Sequence, residues 1–165
     1  MAQDHSFDVV SKVNLQEVRN AIHMAQKEIA TRFDFRGSSA SVVFEEEPPL
    51  LKVTGDHVPQ LNSVVDVIET KLAKRGVPLK AFRWEEPVTL PSGGVKRQAP
   101  LQQGIPQEVA KDVVKIVKGL GLKVQPRIEG ETVRVVGRQI DDLQTVMQTL
   151  KGKSFDCPLQ FENYR

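Results

Sequence analysis

Thr31-Arg32-Phe33-Asp34-Phe35-Arg36-Gly37 interleaves two aromatic rings with a cation, an anion and a second cation. In an extended chain, the two-residue period of a strand sets Phe33 and Phe35 on one side and Arg32, Asp34 and Arg36 on the other. A guanine base carries N1–H and N2–H donors that one carboxylate accepts together. An arginine grips O6 and N7, or a phosphate, through two parallel bonds. The block therefore suits a guanine nucleotide. The same spacing also fits a solvated strand in which Asp34 neutralises two arginines and both phenylalanines turn to the core, since exposed ion pairs contribute little. A second candidate set lies on two strands, Lys96, Arg97 and Gln98 on one and Gln160, Asn163 and Arg165 on the other. If these strands are neighbours, the two sets converge on an open sheet face and meet phosphates and bases, although a solvated edge explains them as well.

Other residues carry weaker chemistry. His5, His23 and His57 share no metal-ligand spacing, and His23 stands off the apolar stripe of its helix. Gly152-Lys153-Ser154 resembles the end of a phosphate loop, but Met147 stands where its first glycine is needed and no helix follows. Cys157 is the only cysteine, which excludes an internal disulfide and every multi-cysteine metal or redox site. It reads as a filler with no local histidine to activate it. No catalytic residue, metal or cofactor is expected. The start MAQDHSFD has no basic stretch before an apolar one, and no apolar run approaches a membrane span. The expectation is a soluble, cytoplasmic, non-enzymatic protein.

The elements that must position these residues follow from apolar periodicity. Phe7 to Val13 reads as a strand. Asn14 caps a helix to about Thr31 whose stripe is Val18, Ile22, Ala25 and Ile29. Ala40 to Glu46 and Leu50 to Thr54 form a hairpin across Pro48-Pro49. A second helix carries Val58, Leu61, Val65, Ile68 and Leu72 and ends at Gly76 and Pro78, and a strand follows near Leu79 to Glu85. The order is βαββαβ.

It recurs. Gln16-Glu17-Val18 with Ile22 returns 91 residues later as Gln107-Glu108-Val109 with Val113. Val53, Gly55, Val58, Leu61, Val64 and Ile68 return 82 residues later as Val135, Gly137, Ile140, Leu143, Val146 and Leu150. The second unit then comprises a strand near Val95 to Leu101, a helix from Pro106 to Leu120, a hairpin over Val124 to Ile128 and Thr132 to Val136, a helix from Gln139 to Lys151 and a strand from Leu159 to Tyr164. These patterns predict an α+β chain of two tandem ferredoxin-like domains, 1–91 and 92–165, each an antiparallel sheet with its helices on one face. Pro91-Ser92-Gly93-Gly94 is the expected linker and the groove between the halves the expected site.

With 23 basic and 21 acidic residues the chain is only +2 overall, but residues 92–165 hold 12 basic and 8 acidic, against 11 and 13 in the first 91. The second half therefore reads as the basic one, which keeps diffuse RNA binding open as an alternative. Stacking of the RNA-recognition type needs aromatic residues on the first and third strands, and the third strands carry Leu51, Val53, Val133 and Val135 instead.

The blocks Ser6-Phe7-Asp8-Val9-Val10-Ser11, Glu28-Ile29-Ala30-Thr31 with Arg32 to Gly37, Lys96-Arg97-Gln98, Leu122-Lys123-Val124-Gln125, Val133-Arg134-Val135 with Gly137, and Pro158-Leu159-Gln160-Phe161 with Asn163 and Arg165 resemble the bacterial YajQ family over nearly the whole chain. Ala99-Pro100 and Pro48-Pro49 depart from that pattern. The resemblance implies two ferredoxin-like domains and nucleotide binding. Cyclic di-GMP is the effector for members of the family, GTP or RNA the ligand for others, and a transcription regulator a partner for some.

Overall fold

The computed structural model describes residues 4–165. The reading of the N-terminal start as free of a leader falls partly on residues 1–3, outside the described residues. In chain order the elements are β1 (His5–Val10), α1 (Leu15–Thr31), β2 (Ser41–Glu46), β3 (Pro49–Gly55), α2 (Val58–Lys74), β4 (Val88–Thr89), β5 (Val95–Pro100), α3 (Gln107–Gly119), β6 (Val124–Glu129), β7 (Thr132–Gly137), α4 (Ile140–Lys151) and β8 (Gln160–Glu162).

They build two four-stranded antiparallel sheets, ordered β6-β7-β1-β8 and β2-β3-β5-β4. This is the predicted α+β, ferredoxin-like class. Each sheet packs two helices. Val18, Ile22, Ala25 and Ile29 of α1 and Leu61, Val64, Ile68 and Leu72 of α2 share a core with Val42, Leu51 and Val53. Val109, Val113 and Val117 of α3 and Leu143, Val146 and Leu150 of α4 share the other core with Phe7, Val9, Val133 and Val135. Asn14 caps α1 as predicted, its Oδ1 accepting from the amides of Gln16 at 3.0 Å and Glu17 at 3.3 Å. Gly76 ends α2 with φ +74°.

One assignment needs correction. β1 pairs with β7 and β8, while β5 pairs with β3 and β4. The first strand of each βαββαβ repeat is thus inserted in the sheet of the other. One compact unit is Val13–Gln102; the other joins the described residues up to Lys12 to Gln103–Arg165. The expected boundary between residues 91 and 92 falls instead between two paired strands, β4 and β5. Periodicity records strand order and face, and an antiparallel partner of the right pattern satisfies either sheet.

Exchange also removes the charge asymmetry. The unit Val13–Gln102 carries 12 basic and 11 acidic residues and the other unit 11 and 10, so each is +1. Two further details differ. Leu79–Ala81 is a 3-10 turn, and in place of the strand expected from Leu79 to Glu85 the shorter β4 begins nine residues after Leu79. β5 runs through Pro100, which lies opposite Leu50, and the Pro100 carbonyl accepts from the Arg83 amide at 3.0 Å.

Candidate functional site

The chain leaves α1 at Arg32, where φ is −70° and ψ 134°. It does not then extend. Phe33–Phe35 is a 3-10 turn, closed by the Phe35 amide on the Arg32 carbonyl at 3.2 Å and the Arg36 amide on the Phe33 carbonyl at 3.3 Å. With three residues per turn, positions two apart diverge instead of sharing a side. Phe35 is therefore buried in the α1–α2 core, and Phe33 is 85% exposed. Gly37, with φ +70° and nothing within 4 Å of where a Cβ would stand, turns the chain onward, a conformation that glycine adopts without strain.

The charged fork is half closed. Arg32 donates Nε–H to Asp34 Oδ1 at 3.0 Å and Nη2–H to Oδ2 at 2.7 Å, while its guanidinium lies 4.7 Å from the centroid of Phe35. Its Nη1 also reaches Glu28 Oε2 at 3.5 Å, and Lys71 reaches Glu28 Oε1 at 3.0 Å. Hydrogen bonding to Arg32 holds the Asp34 carboxyl below its ordinary range. Hydrogen bonding to Lys71, then the lesser pull of Arg32, does the same for Glu28. Arg36 is exposed and makes no side-chain hydrogen bond or ion pair among the described residues. The turn therefore presents a bare ring and a free cation on either side of an anchored carboxylate.

The second predicted set divides between the sheets. Lys96, Arg97 and Gln98 stand on β5 and Gln160 on β8, with Asn163 and Arg165 just beyond it, so the expected convergence on one sheet does not occur. Lys96 lies opposite Thr54 and Gln98 opposite Lys52, on the face away from the helices. Arg97 lies opposite the buried Val53; it donates Nε–H to the Glu85 carbonyl at 2.7 Å and covers the Trp84 ring at 5.2 Å. On the other sheet Gln160 Oε1 accepts from the Lys12 amide at 2.8 Å. Asn163 has φ +55° and shifts the register, so that Ser6 bonds the backbone of Arg165 where Tyr164 would otherwise continue the ladder.

Sequence reasoning missed the carboxylate that organises this end. Asp8 is 7% exposed; its Oδ1 accepts from Arg134 Nε at 3.0 Å and its Oδ2 from Asn163 Nδ2 at 2.9 Å. The hydrogen bond from Arg134 lowers the Asp8 carboxyl from its ordinary value, burial opposes it, and Asn163 adds to the lowering. The available signal was an aspartate inside a strand of apolar residues. The open faces also lack aromatics for a reason other than the one expected. Leu51, Val53, Val133 and Val135 face the cores; strand alternation places Lys52, Thr54, Arg134 and Val136 on the open faces of those strands.

Two ferredoxin-like units with exchanged first strands, one bearing an aromatic and cationic turn, define the class of protein. Among the described residues no helix is long and apolar enough to cross a membrane. A family profile described as "Nucleotide-binding protein YajQ-like" matches residues 5–165, and the chain belongs to that family. Relatives from Desulforamulus reducens and Carboxydothermus hydrogenoformans, each named nucleotide-binding protein, are 44% identical over 165 residues, covering all of this chain and 99% and 100% of theirs. A relative of the same name from Leptospira biflexa is 40% identical over 166 residues, covering all of this chain and 99% of its own.

Proposed function

We propose that this protein binds a guanine nucleotide, with cyclic di-GMP the first candidate, at the Arg32–Arg36 turn and passes occupancy to a protein partner without catalysis. The observation that carries this reading is the exposed Phe33 ring beside the free Arg36. A base stacks on such a ring, and a phosphate meets the guanidinium. Asp34 keeps lone pairs for the guanine N1–H and N2–H, because Arg32 occupies one site on each oxygen and an ionised carboxylate has about four. Family membership and the names of the relatives support a nucleotide as the ligand. Lys96 and Gln98, on the open face of the same unit's sheet, are additional contacts for the ligand.

Calorimetric titration of the full chain with cyclic di-GMP, GTP and cyclic di-AMP tests the proposal. Saturable heat with a guanine nucleotide, lost in Phe33→Ala, is expected; no heat with any guanine nucleotide sinks it. RNA binding, the alternative, loses the argument from a basic half once the units are drawn as they fold. It would appear as a gel shift that weakens steeply with salt in proportion to the phosphates neutralised, whereas a two-phosphate ligand gives a shallow dependence.

A further inference from the structure

Beside the β6 edge of its sheet, like charges stand opposite one another. The register sets Gln125 against Val136 and Arg127 against Arg134, and Lys123 and Arg138 immediately flank the terminal pair Val124 and Gly137. Strand alternation places Lys123, Gln125 and Arg127, with Arg134, Val136 and Arg138, on the face away from the helices. Two cation pairs thus bracket one neutral pair, with Lys123 and Arg127 about 13 Å apart along the strand. Like charges directly opposite destabilise a sheet, so the arrangement calls for a compensating anion.

The carboxylates nearby answer only half of it. Asp4 reaches Arg138 at 3.7 Å, while Asp8 and Glu129 reach Arg134 at 3.0 and 3.7 Å. No carboxylate among the described residues pairs with Lys123 or Arg127, and Arg127 Nη2 has only the Gln125 amide oxygen, at 3.5 Å. A groove of about 630 Å³ lies here, lined by Asp4, Lys123, Gln125, Arg127, Arg138 and Gln139 among others, and Arg134, opposite Arg127 in the register, stands outside that lining at its rim. That volume is within the range of small-ligand sites.

We infer that this groove binds a ligand with two separated phosphate groups, of the nucleoside bisphosphate kind. One phosphate lies between Lys123 and Arg138, the other between Arg127 and Arg134, and the Gln125 amide meets the sugar between them. Asp4, just before β1, holds Arg138, and Asp8 on β1 with Glu129 on β6 holds Arg134, while Lys123 before β6 and Arg127 within it complete the two clamps. The site is separate from the Arg32–Arg36 turn and does not depend on it.

The test is a titration of the full chain, followed by amide NMR, with adenosine 3′,5′-bisphosphate and with adenosine 5′-monophosphate as comparator. Saturable shifts confined to residues 123–127 and 134–139 are expected, with the bisphosphate preferred by roughly tenfold or more. Arg127→Gln removes a like-charge contact, so it should lose bisphosphate binding while the urea midpoint holds or rises. Phe33→Ala should leave these shifts unchanged, which separates failure here from failure at the turn. Absent shifts, equal affinity for the two nucleotides, unaltered binding in Arg127→Gln, or a fall in its midpoint would each overturn the inference.

Discussion

Asp8 is the residue whose environment makes the sharpest forecast. Its carboxylate is buried between Arg134 and Asn163 and titrates below the ordinary range. As pH falls, the unfolded chain takes the proton first, near the ordinary carboxyl value of about 3.9. The stability Asp8 contributes is therefore complete above that pH and disappears as pH drops through the lower, folded value. Asp8→Asn should lower stability at neutral pH by about 1.5–3 kcal/mol, as loss of a charge-assisted hydrogen bond does. Urea midpoints of the variant and the parent should converge between pH 5 and the acid limit; a constant gap would show that the carboxylate charge is irrelevant. The turn makes a different forecast. Asp34→Ala should reduce affinity for guanine nucleotides roughly ten to a hundredfold. Arg36→Ala should weaken every phosphate-bearing ligand of the turn alike, since phosphate contacts carry no base identity. Both should leave the urea midpoint unchanged, and a large fall in either would make the block structural. The residue types of this turn were readable in the sequence, but its geometry was not. Alternation assumes a strand, and only the backbone bonds of the 3-10 turn reveal that Phe35 goes inward and Phe33 outward.

At the scale of elements, the 82-residue repeat proves to be a repeated contact. Gly55 and Gly137 both lack positive φ, and both end a central strand against the first turn of the following helix. A Cβ on Gly55 would stand 3.2 Å from the Leu61 amide nitrogen, and one on Gly137 3.5 Å from Leu143 Cδ2 and 2.9 Å from Val124 Cγ1. Leu61 and Leu143 are themselves 82 apart. Gly→Ala at either junction should destabilise its own unit by about 1–3 kcal/mol through overpacking. Gly137 should be the more sensitive, because its nearest obstacle, Val124 Cγ1, belongs to a β-branched side chain stiff at χ1 and the Lys123 carbonyl stands 3.3 Å away, whereas nothing comes nearer to a Cβ on Gly55 than 3.2 Å. Urea unfolding followed by probes in each unit would check the ranking, and equal effects on both units from either change would contradict it. Helices and hairpins were legible because each buries one regular stripe. β4 was not, since its two residues are both exposed and the segment before it touches β5 by scattered bonds such as Glu85 to Gln98 at 2.9 Å. His57 was also missed as a cap; its Nδ1 accepts from the Gln60 amide at 3.2 Å, a role more often filled by serine, threonine, aspartate or asparagine.

For the whole molecule the exchanged strands decide what can fold alone. β1 is a central strand, bonded to β7 on one side and β8 on the other, and it brings Phe7 and Val9, both fully buried, to the core that α3 and α4 cover. Phe7 also meets Phe161 edge-on at 5.8 Å between ring centroids. Burying two such side chains is worth about 1.5–3 kcal/mol each, a large part of the 5–15 kcal/mol that holds a typical domain together. A fragment of residues 92–165 lacks this strand and carries β5 without its partner β3; a fragment of residues 1–91 lacks β5 and carries β1 without β7. Neither should unfold cooperatively. Residues 13–102 hold every strand of one sheet with both of its helices, and should do so. Mixing the two unfolded halves should restore both sheets, since each then supplies the strand the other lacks. Circular dichroism with urea unfolding of the three fragments, and of the mixture, measures all of this. Cooperative unfolding of residues 92–165 alone would mean that the repeats close on themselves, and that the pairing of β1 with β7 and β8 does not describe the folded protein.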